Sequence, residues 1–498
     1  MRRCLVANRG EIALRIIQAC HELNIEAVAV HSTVDADSAA VIRADRAYPL
    51  GGTTAKESYL AGERLIEIAR DSGCDAIHPG YGFLAENAGF ARSVLDAGLT
   101  WVGPHPDAMA IMADKTAALT ALASTEIPTL PCFHPEEAVG TAVLHEEARR
   151  IGFPLLVKAA SGGGGRGIRI VHQVDELQDS LSAAQREARR SFGDGRLYLE
   201  RYLQGARHIE VQIAADSQGE LRHFYERDCS VQRRRQKIIE AAPASGISEK
   251  LRQRLCQAAI TVAETVNYDH LGTVEFLLTE EGEFYFLEMN TRLQVEHPVT
   301  ELICGVDLVQ LQLRLSRGEG MPLTQEEIRP RGYALQCRIY AEAPEEDFRP
   351  DTGRISHLAV PTGAGIRWDS ALRKGDWVSP HYDSLLGKLV VHDETRGATV
   401  QKMACAMRQL AILGVETNQN LLQDLLARPE IQQGTVDTDF VEREFPAGFA
   451  GDGAELPAEV WLAAQVLAES PVAVTDEGAP GDGPWDRADR FRLVGGER

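Results

Sequence analysis

The chain has 498 residues, 44% hydrophobic and 25% charged, the make-up of a globular protein long enough to bury sizeable cores without staples. Roughly three domains are expected at ~150 residues each. Lysine and arginine total 52 against 73 aspartates and glutamates, a net charge of −21. That balance argues against a nucleic-acid coat or an anionic membrane surface as the main partner, because either needs a basic footprint. It leaves room for a small anionic substrate held in one local basic pocket.

The nine cysteines (Cys4, Cys20, Cys74, Cys132, Cys229, Cys256, Cys304, Cys337 and Cys405) are scattered and form no C-x-x-C pair. Neither a disulfide framework nor a zinc knuckle is expected, and a reducing, cytoplasmic setting is. At the N-terminus, Arg2 and Arg3 precede a short apolar run. Asn8, Arg9 and Glu11 interrupt it at once, so no signal-peptide h-region is read there. No run approaches the ~18 apolar residues of a membrane span.

In chain order, CLVAN (4–8) predicts a strand and EIALRIIQACHEL a helix with apolar residues at helical spacing. EAVAVHS (26–32), CDAIHPG (74–80) and LTWVG (99–103) repeat the strand signal with helices between. Alternating strands and helices imply a parallel sheet, and an α/β unit is expected over 1–112. FPLLVKAA (153–160) runs into SGGGGRG (161–167) and then IRIV (168–171). Strand, glycine loop and strand make a hairpin, which is the context of neither a Walker loop nor a Rossmann turn. A small α+β insert is expected over 128–203, inside a larger unit spanning 113–330. HIEVQIAAD (208–216) and LRHFYERDCSVQ (221–232) read as strands about a Ser-Gln-Gly turn. TVEFLL (273–278) and FYFLEMN (284–290) read as a second hairpin. A third unit is expected over 331–445, opening with YALQCRIYAE. Residues 446–498 are rich in Gly, Ala, Pro and Asp, with one helical stretch at 459–469.

Three constellations carry chemistry. Gly162, Gly163, Gly164 and Gly165 leave backbone N–H groups open to a phosphate, and Arg166 adds charge beside them. A flexible surface hairpin would carry the same glycines; Lys158 at the end of the preceding strand tips the reading toward a phosphate site. Lys115, after Asp114 at a helix start, is a second candidate for a nucleotide phosphate. The next set is Glu275 on one strand of the second hairpin with Glu288 and Asn290 on the other. Glu288 and Asn290 are two apart and share a face. Oxygen ligands across a hairpin suit Mg²⁺, and a buried like-charge pair with no cation would be expensive. The third set is NTRLQVEHPVTE (290–301), which crowds Arg292, Gln294, Glu296 and His297 into six residues. The planar fork of Arg292 fits a small oxyanion such as bicarbonate, and Glu296 has the chemistry of a general base. Singly each is read as a loop charge; as a set beside a metal-like hairpin they point to function.

VANRGEIALRI (6–16), HPGYGFLAEN (78–87), VKAASGGGGRGIRIV (157–171), RHIEVQI (207–213), DCSVQRRRQKIIE (228–240) and EMNTRLQVEHPVTE (288–301) together resemble biotin carboxylase, of the ATP-grasp superfamily. The resemblance extends over about 1–445. It implies an α/β ATP-grasp fold: a Rossmann-like N-terminal parallel-sheet domain, a small mobile lid and a C-terminal α+β domain. It implies an ATP site at Lys115, Lys158, Gly162 to Gly167, Glu200, Leu203 and His208. It implies Mg²⁺ or Mn²⁺ at Glu275 and Glu288 with Asn290 close by, and bicarbonate at Arg292, Gln294 and the Val295 backbone. Lys237 would lie near the γ-phosphate and bicarbonate. Glu296 would deprotonate bicarbonate for attack on ATP, giving carboxyphosphate. Arg338 would stabilise the biotin enolate and Tyr81 would lie beside the biotin ring. The sequence departs from the family pattern at Arg235, where His is usual, and at Ala241, Ser245 and Ala343. None of these removes a catalytic group.

AKESYL (55–60), RIYAE (338–342) and VDTDFVE (436–442) look more like the α chains of methylcrotonoyl- or propionyl-CoA carboxylase than like a free-standing subunit. PWDRADRFRLVGG (484–496) resembles the entry to their linking domain; an unrelated disordered tail is the other reading. No A-M-K-M biotinylation run occurs in these residues, so biotin is expected on a carrier domain or protein acting in trans. A carboxyltransferase subunit and a homodimer or larger assembly are implied as partners; nucleic acid and membrane are not. Another ATP-grasp carboxylate–amine ligase, or a nucleotide-sensing subunit without catalysis, are the competing expectations. The first has no reason to keep the RLQVEH run with Arg338.

Overall fold

The computed structural model describes residues 1–135, 137, 139–159, 168–192 and 195–450. The glycine loop Gly162–Gly167 with Arg166, and the tail from residue 451 with its expected helix at 459–469, lie outside the described residues.

The N-terminal sheet has five parallel strands in the order Arg46–Pro49, Glu26–His31, Arg3–Val6, Ala76–His78, Thr100–Trp101. Leu5, Val28 and Ile77 on one face and Cys4, Val6 and Ala29 on the other feed two separate cores. Both faces are buried, which is why these strands read as unbroken apolar runs. Arg46–Pro49 is a strand that hydropathy does not announce. It lies at the edge, half-exposed, where a terminal proline is tolerated.

An antiparallel sheet of eight strands forms the body of the molecule. Its order is Phe284–Asn290, His270–Leu278, Arg207–Ala215, Leu221–Arg233, Gln236–Ala242, Tyr333–Tyr340, Leu385–Asp393, Ile366–Asp369. The boundary expected near residue 331 is crossed by the sheet itself, through the pairing of Gln236–Ala242 with Tyr333–Tyr340. One bulge sets Glu288 opposite Glu275 and Phe286 opposite Phe276, leaving Leu287 as the extra residue. Another sets Ile239 opposite Val231 and Lys237 opposite Gln232, leaving Ile238 extra. A bulge flips the side-chain parity of the strand beyond it. Lys237 and Glu240, three apart in sequence, therefore share a face.

Between these sheets stands a small unit of four antiparallel strands, in the order Cys132–Phe133, Leu197–Arg201, Leu155–Ala159, Arg169–Val171. Helices Thr141–Ile151 and Val174–Phe192 pack on it through Leu144, Ala148, Leu177 and Leu181 in a core of its own. Among the described residues no helix is long and apolar enough to cross a membrane.

The hairpin carrying Glu275 and Glu288 is anchored from behind by Phe276, fully buried and edge-to-face on Phe284 at 5.4 Å. Phe276→Ala is expected to cost about 3–5 kcal/mol of stability, read as a lower urea midpoint with an unchanged m-value.

Candidate active site

One cavity of about 1070 Å³ opens between the eight-stranded sheet, the small four-stranded unit and the N-terminal sheet. All fifteen predicted site residues that are described line it: Tyr81, Lys115, Lys158, Glu200, Leu203, His208, Lys237, Glu275, Glu288, Asn290, Arg292, Gln294, Val295, Glu296 and Arg338.

At one end sits a lysine pair. Asp114 caps the helix Lys115–Leu122 by accepting from the Ala117 N–H, which starts that helix at Lys115. The Lys115 ammonium donates to the Leu287 carbonyl at 2.8 Å, in the bulge of the hairpin, and pairs with Glu200 at 3.1 Å. Lys158, from the strand Leu155–Ala159, donates to the other Glu200 oxygen. Burial pushes the Glu200 carboxyl up, but the two lysines outweigh it and hold its pKa at about 2. Tyr202, Leu203, Thr438 and Arg235 extend the wall from this end. Arg234 and Arg235 form the two-residue turn between Arg233 and Gln236 at φ 47° and 64°. Arg234 pairs with Asp347, whereas Arg235 is the guanidinium turned to the cavity.

In the centre, cross-strand pairing lines up Arg227, Glu210, Glu275 and Glu288 on four neighbouring strands. Lys237 donates to three carboxylates: Glu210, Glu275 at 2.8 Å and Glu296 at 2.7 Å. Burial disfavours its charge, but these carboxylates prevail and raise its pKa well above the ordinary value. His208 lies 2.9 Å from the second Glu275 oxygen. The Asn290 and Gln294 amides donate to Glu275 at 2.9 and 3.2 Å. Burial opposes the Glu275 charge, yet Lys237 and His208 keep its pKa far below the carboxylate range. Glu288 differs. It faces the open cavity with no hydrogen-bond or ion-pair partner among the described residues. Enclosure by protein and the neighbouring Glu275 raise its pKa. An unpaired carboxylate beside an ionised one, with an amide nearby, fits a hard divalent cation.

At the other end, Glu296 is fully buried, with one oxygen on Lys237 and the other 3.0 Å from Arg338. Burial raises its pKa and Lys237 and Arg338 lower it, with a net depression. Arg338 also donates to Glu240, and the Gln336 amide donates to the second Glu240 oxygen at 3.0 Å. The guanidinium of Arg292 is held by Glu86 at 2.9 Å, Gln294 at 2.8 Å and Asn290 at 2.9 Å. Tyr81 donates its hydroxyl to Glu11. His297, grouped with this run in the sequence, is buried behind it, and its Nδ1 meets the Gln294 carbonyl at 2.7 Å.

Three family models match in order between residues 1 and 443. "Biotin carboxylase, N-terminal domain" covers 1–109, "Carbamoyl-phosphate synthase L chain, ATP binding domain" 114–324 and "Biotin carboxylase C-terminal domain" 336–443. The biotin carboxylase of Nostoc sp. is 45% identical over 441 residues, 88% of this chain and 98% of the relative. The chain belongs to the biotin carboxylase family. Its activity is that of an ATP-dependent carboxylase, a ligase. The methylcrotonoyl-CoA carboxylase α subunit of Dictyostelium discoideum is 41% identical over 492 residues, 99% of this chain and 70% of the relative. Among solved structures, the biotin carboxylase domain dimer of Hydrogenobacter thermophilus 2-oxoglutarate carboxylase, with MgADP, ADP and bicarbonate, superimposes with a TM-score of 0.86. It is 41% identical, over 89% of this chain and 98% of that one. The Campylobacter jejuni biotin carboxylase in complex with an ATP analogue gives 0.85 at 39% identity, over the same shares.

Sequence reasoning missed Glu210, Arg227 and Glu240 in this biotin carboxylase. Arg227 is fully buried and bonded through all three guanidinium nitrogens, to Glu210, to Gln212 at 2.8 Å and to Thr300 and Thr273 at 3.0 Å. The available signal was parity: His208, Glu210 and Gln212 place three polar side chains on one face of a strand that alternates them with Ile209, Val211 and Ile213.

Glu200 titrates at about 2 when folded and near 4.3 when unfolded, so the unfolded chain takes up the proton first as pH falls. Its contribution is whole above about pH 5 and disappears toward pH 2. Glu200→Gln is therefore expected to lower the urea midpoint most at pH 7. The gap to the parent should narrow steadily from pH 5 to 3.5, and a gap that stays constant would contradict the assignment.

Proposed function

We propose that this chain carboxylates biotin presented by a carrier, using ATP and bicarbonate, as the first half-reaction of an acyl-CoA carboxylase. The observation that carries the residue assignment is Glu296, a fully buried carboxylate wired to both Lys237, in the centre of the cavity, and Arg338 at the end opposite the lysine pair.

The proposed division of labour joins the geometry of the cavity to the roles that the family resemblance implies. Lys115 and Lys158, shared with Glu200, hold the nucleotide phosphates, Leu203 and His208 flank the nucleotide, and the family resemblance assigns Gly162–Gly167 with Arg166, outside the described residues, to the same ATP site. Glu275 and Glu288, with Asn290 beside them, would hold Mg²⁺ or Mn²⁺. When bound, that cation neutralises charge on the β- and γ-phosphates. Arg292, Gln294 and the Val295 N–H receive bicarbonate. The depressed pKa of Glu296 keeps it ionised, and arrival of phosphate and bicarbonate draws Lys237 toward the new anions. Glu296 then loses a counter-ion and gains basicity, as a general base requires. Deprotonated bicarbonate attacks the γ-phosphorus and ADP leaves, giving carboxyphosphate. Carboxyphosphate breaks to CO₂ and phosphate, and the phosphate takes the N1′ proton of biotin. Arg338 faces the enolate oxygen that develops, Tyr81 packs beside the ring, and biotin N1′ attacks CO₂. Closure of the 128–203 unit keeps water from the labile intermediate.

Support for the acyl-CoA carboxylase assignment comes from the Dictyostelium α subunit, whose alignment runs over 99% of this chain. A carboxyltransferase subunit and a homodimer or larger assembly complete the proposal. A reducing cytoplasmic setting fits nine unpaired cysteines. A streptavidin blot of co-purified protein identifies the carrier.

Bicarbonate-dependent ATP cleavage stimulated by free biotin tests the activity. Stimulation by glutamate, alanine or another amine instead would favour a carboxylate–amine ligase. Glu296→Ala is expected to reduce biotin-dependent turnover at least ~100-fold while ATP still binds by calorimetry. Turnover within twofold of the parent would remove Glu296 as the base.

A further inference from the structure

Lys388 is a fully buried lysine on the strand Leu385–Asp393, from the C-terminal part of the chain. Its ammonium donates to the Val295 carbonyl at 3.0 Å and pairs with Glu11 at 2.9 Å. Asp369 stands 3.8 Å away and is itself held by Arg367 at 2.7 Å. Burying a lysine is costly, so its three donors must satisfy something that matters to the fold or the site. The Val295 carbonyl belongs to the peptide plane that leads into Glu296. The preceding peptide is fixed from the other side, because the Gln294 carbonyl meets His297 Nδ1 at 2.7 Å. Val295 lines the cavity, and its own N–H has no partner among the described residues. On the far side of Lys388, Glu11 accepts the Tyr81 hydroxyl, and the ammonium lies 5.9 Å from the Tyr81 ring centre.

We propose that Lys388 is a positioning residue that holds the two substrate subsites in register. It fixes the Val295–Glu296 peptide of the anion pocket directly and Tyr81 of the biotin side through Glu11. The inference rests on the bicarbonate pocket assigned above. Lys388 lines no part of the cavity, so it touches no substrate; its effect is geometric. Loss of the Lys388–Val295 bond frees the peptide that aims the Glu296 carboxylate and leaves the preceding peptide, which carries the Val295 N–H, held only through the Gln294 carbonyl. Loss of the Glu11 charge weakens the charge-assisted hold on the Tyr81 hydroxyl and leaves the Val295 bond standing.

The test compares Glu11→Gln, Glu11→Gln/Lys388→Met and Arg292→Ala in ATP cleavage with free biotin. The double variant leaves neither member of the Lys388–Glu11 pair charged, so it avoids an orphaned carboxylate at Glu11. Glu11→Gln is expected to raise the biotin KM and leave the bicarbonate KM within about twofold. The double variant is expected to raise the bicarbonate KM about tenfold or more, the scale of one lost hydrogen bond to a charged donor. The ATP KM stays within about twofold in both. An unchanged bicarbonate KM in the double variant, or ATP and bicarbonate KM rising together, overturns the proposal. If the double variant does not fold, Glu11→Gln decides: a bicarbonate KM raised there, with Lys388 still on Val295, overturns it, and the expected split upholds it. Arg292→Ala separates the two levels. A raised bicarbonate KM in Arg292→Ala beside an unchanged double variant rejects Lys388 alone, whereas an unchanged value in Arg292→Ala rejects the pocket.

Discussion

Three carboxylates standing side by side on neighbouring strands, Glu210, Glu275 and Glu288, are the constraint on which the rest of this molecule depends. Like charges directly opposite one another destabilise a sheet. The row therefore persists only because cations are built around it. Arg227 continues the row at one end and neutralises Glu210. Lys237 reaches in from a further strand and bridges Glu210, Glu275 and Glu296. At the open end Glu288 has no partner among the described residues, and that is the end the nucleotide phosphates would approach. The fold thus leaves one carboxylate unpaired among the described residues, where under the proposed assignment a divalent cation and its phosphates would complete the balance.

Sheet continuity turns this local balance into a three-part assembly. The strand that carries Lys237 pairs with the strand that carries Arg338, which pairs with the strand that carries Lys388. A hydrogen-bonded ladder therefore sets the spacing between the phosphate end and the biotin end. The N-terminal sheet contributes by side chains rather than by pairing: Glu11 and Tyr81 meet Lys388, and Glu86 meets Arg292. A network crossing all three parts is stiff against relative rotation. The four-stranded unit around Lys158 has its own core, separate from the others, which would suit the proposed lid.

Local motifs made much of this legible. The parallel N-terminal sheet followed from alternating strand and helix signals, and the Glu275–Glu288 hairpin from two apolar runs about a short turn. The run from Asn290 to Glu301 was legible because it crowds unlike charges beside that hairpin. What escaped was set by distance along the chain. Arg338 is bonded to Glu240, 98 positions away, and Arg15 to Glu301, 286 positions away. No window on the sequence holds such pairs. The bulges escaped as well. Without the extra residues Leu287 and Ile238, parity would turn Glu288 from Glu275 and Glu240 from Lys237. Lys388 was invisible for a third reason: its partner at the site is a backbone carbonyl, which carries no residue signature.

The overall charge and the cavity charge have opposite signs, and the difference has a physical use. The chain carries 52 basic against 73 acidic residues, while the cavity wall carries eight lysines and arginines against six carboxylates. In a cleft bounded by low-dielectric walls, even a small local excess focuses field lines toward an anion. The surrounding negative surface meanwhile discourages polyanions that would compete for the same cations. Most of the cavity cations are already paired, so ligand binding exchanges one set of ion pairs for another instead of creating bare charges. Glu200 on Lys115 and Lys158, and Glu296 on Lys237 and Arg338, are resident counter-ions, which under the proposed assignment an entering phosphate or bicarbonate would partly displace. Displacement at Glu200 would only move a charge, because two lysines remain. Displacement at Glu296 would change chemistry, because a carboxylate relieved of its ammonium gains the basicity of a general base. The Lys237 salt bridge would then keep Glu296 a weak base until both proposed substrates have arrived.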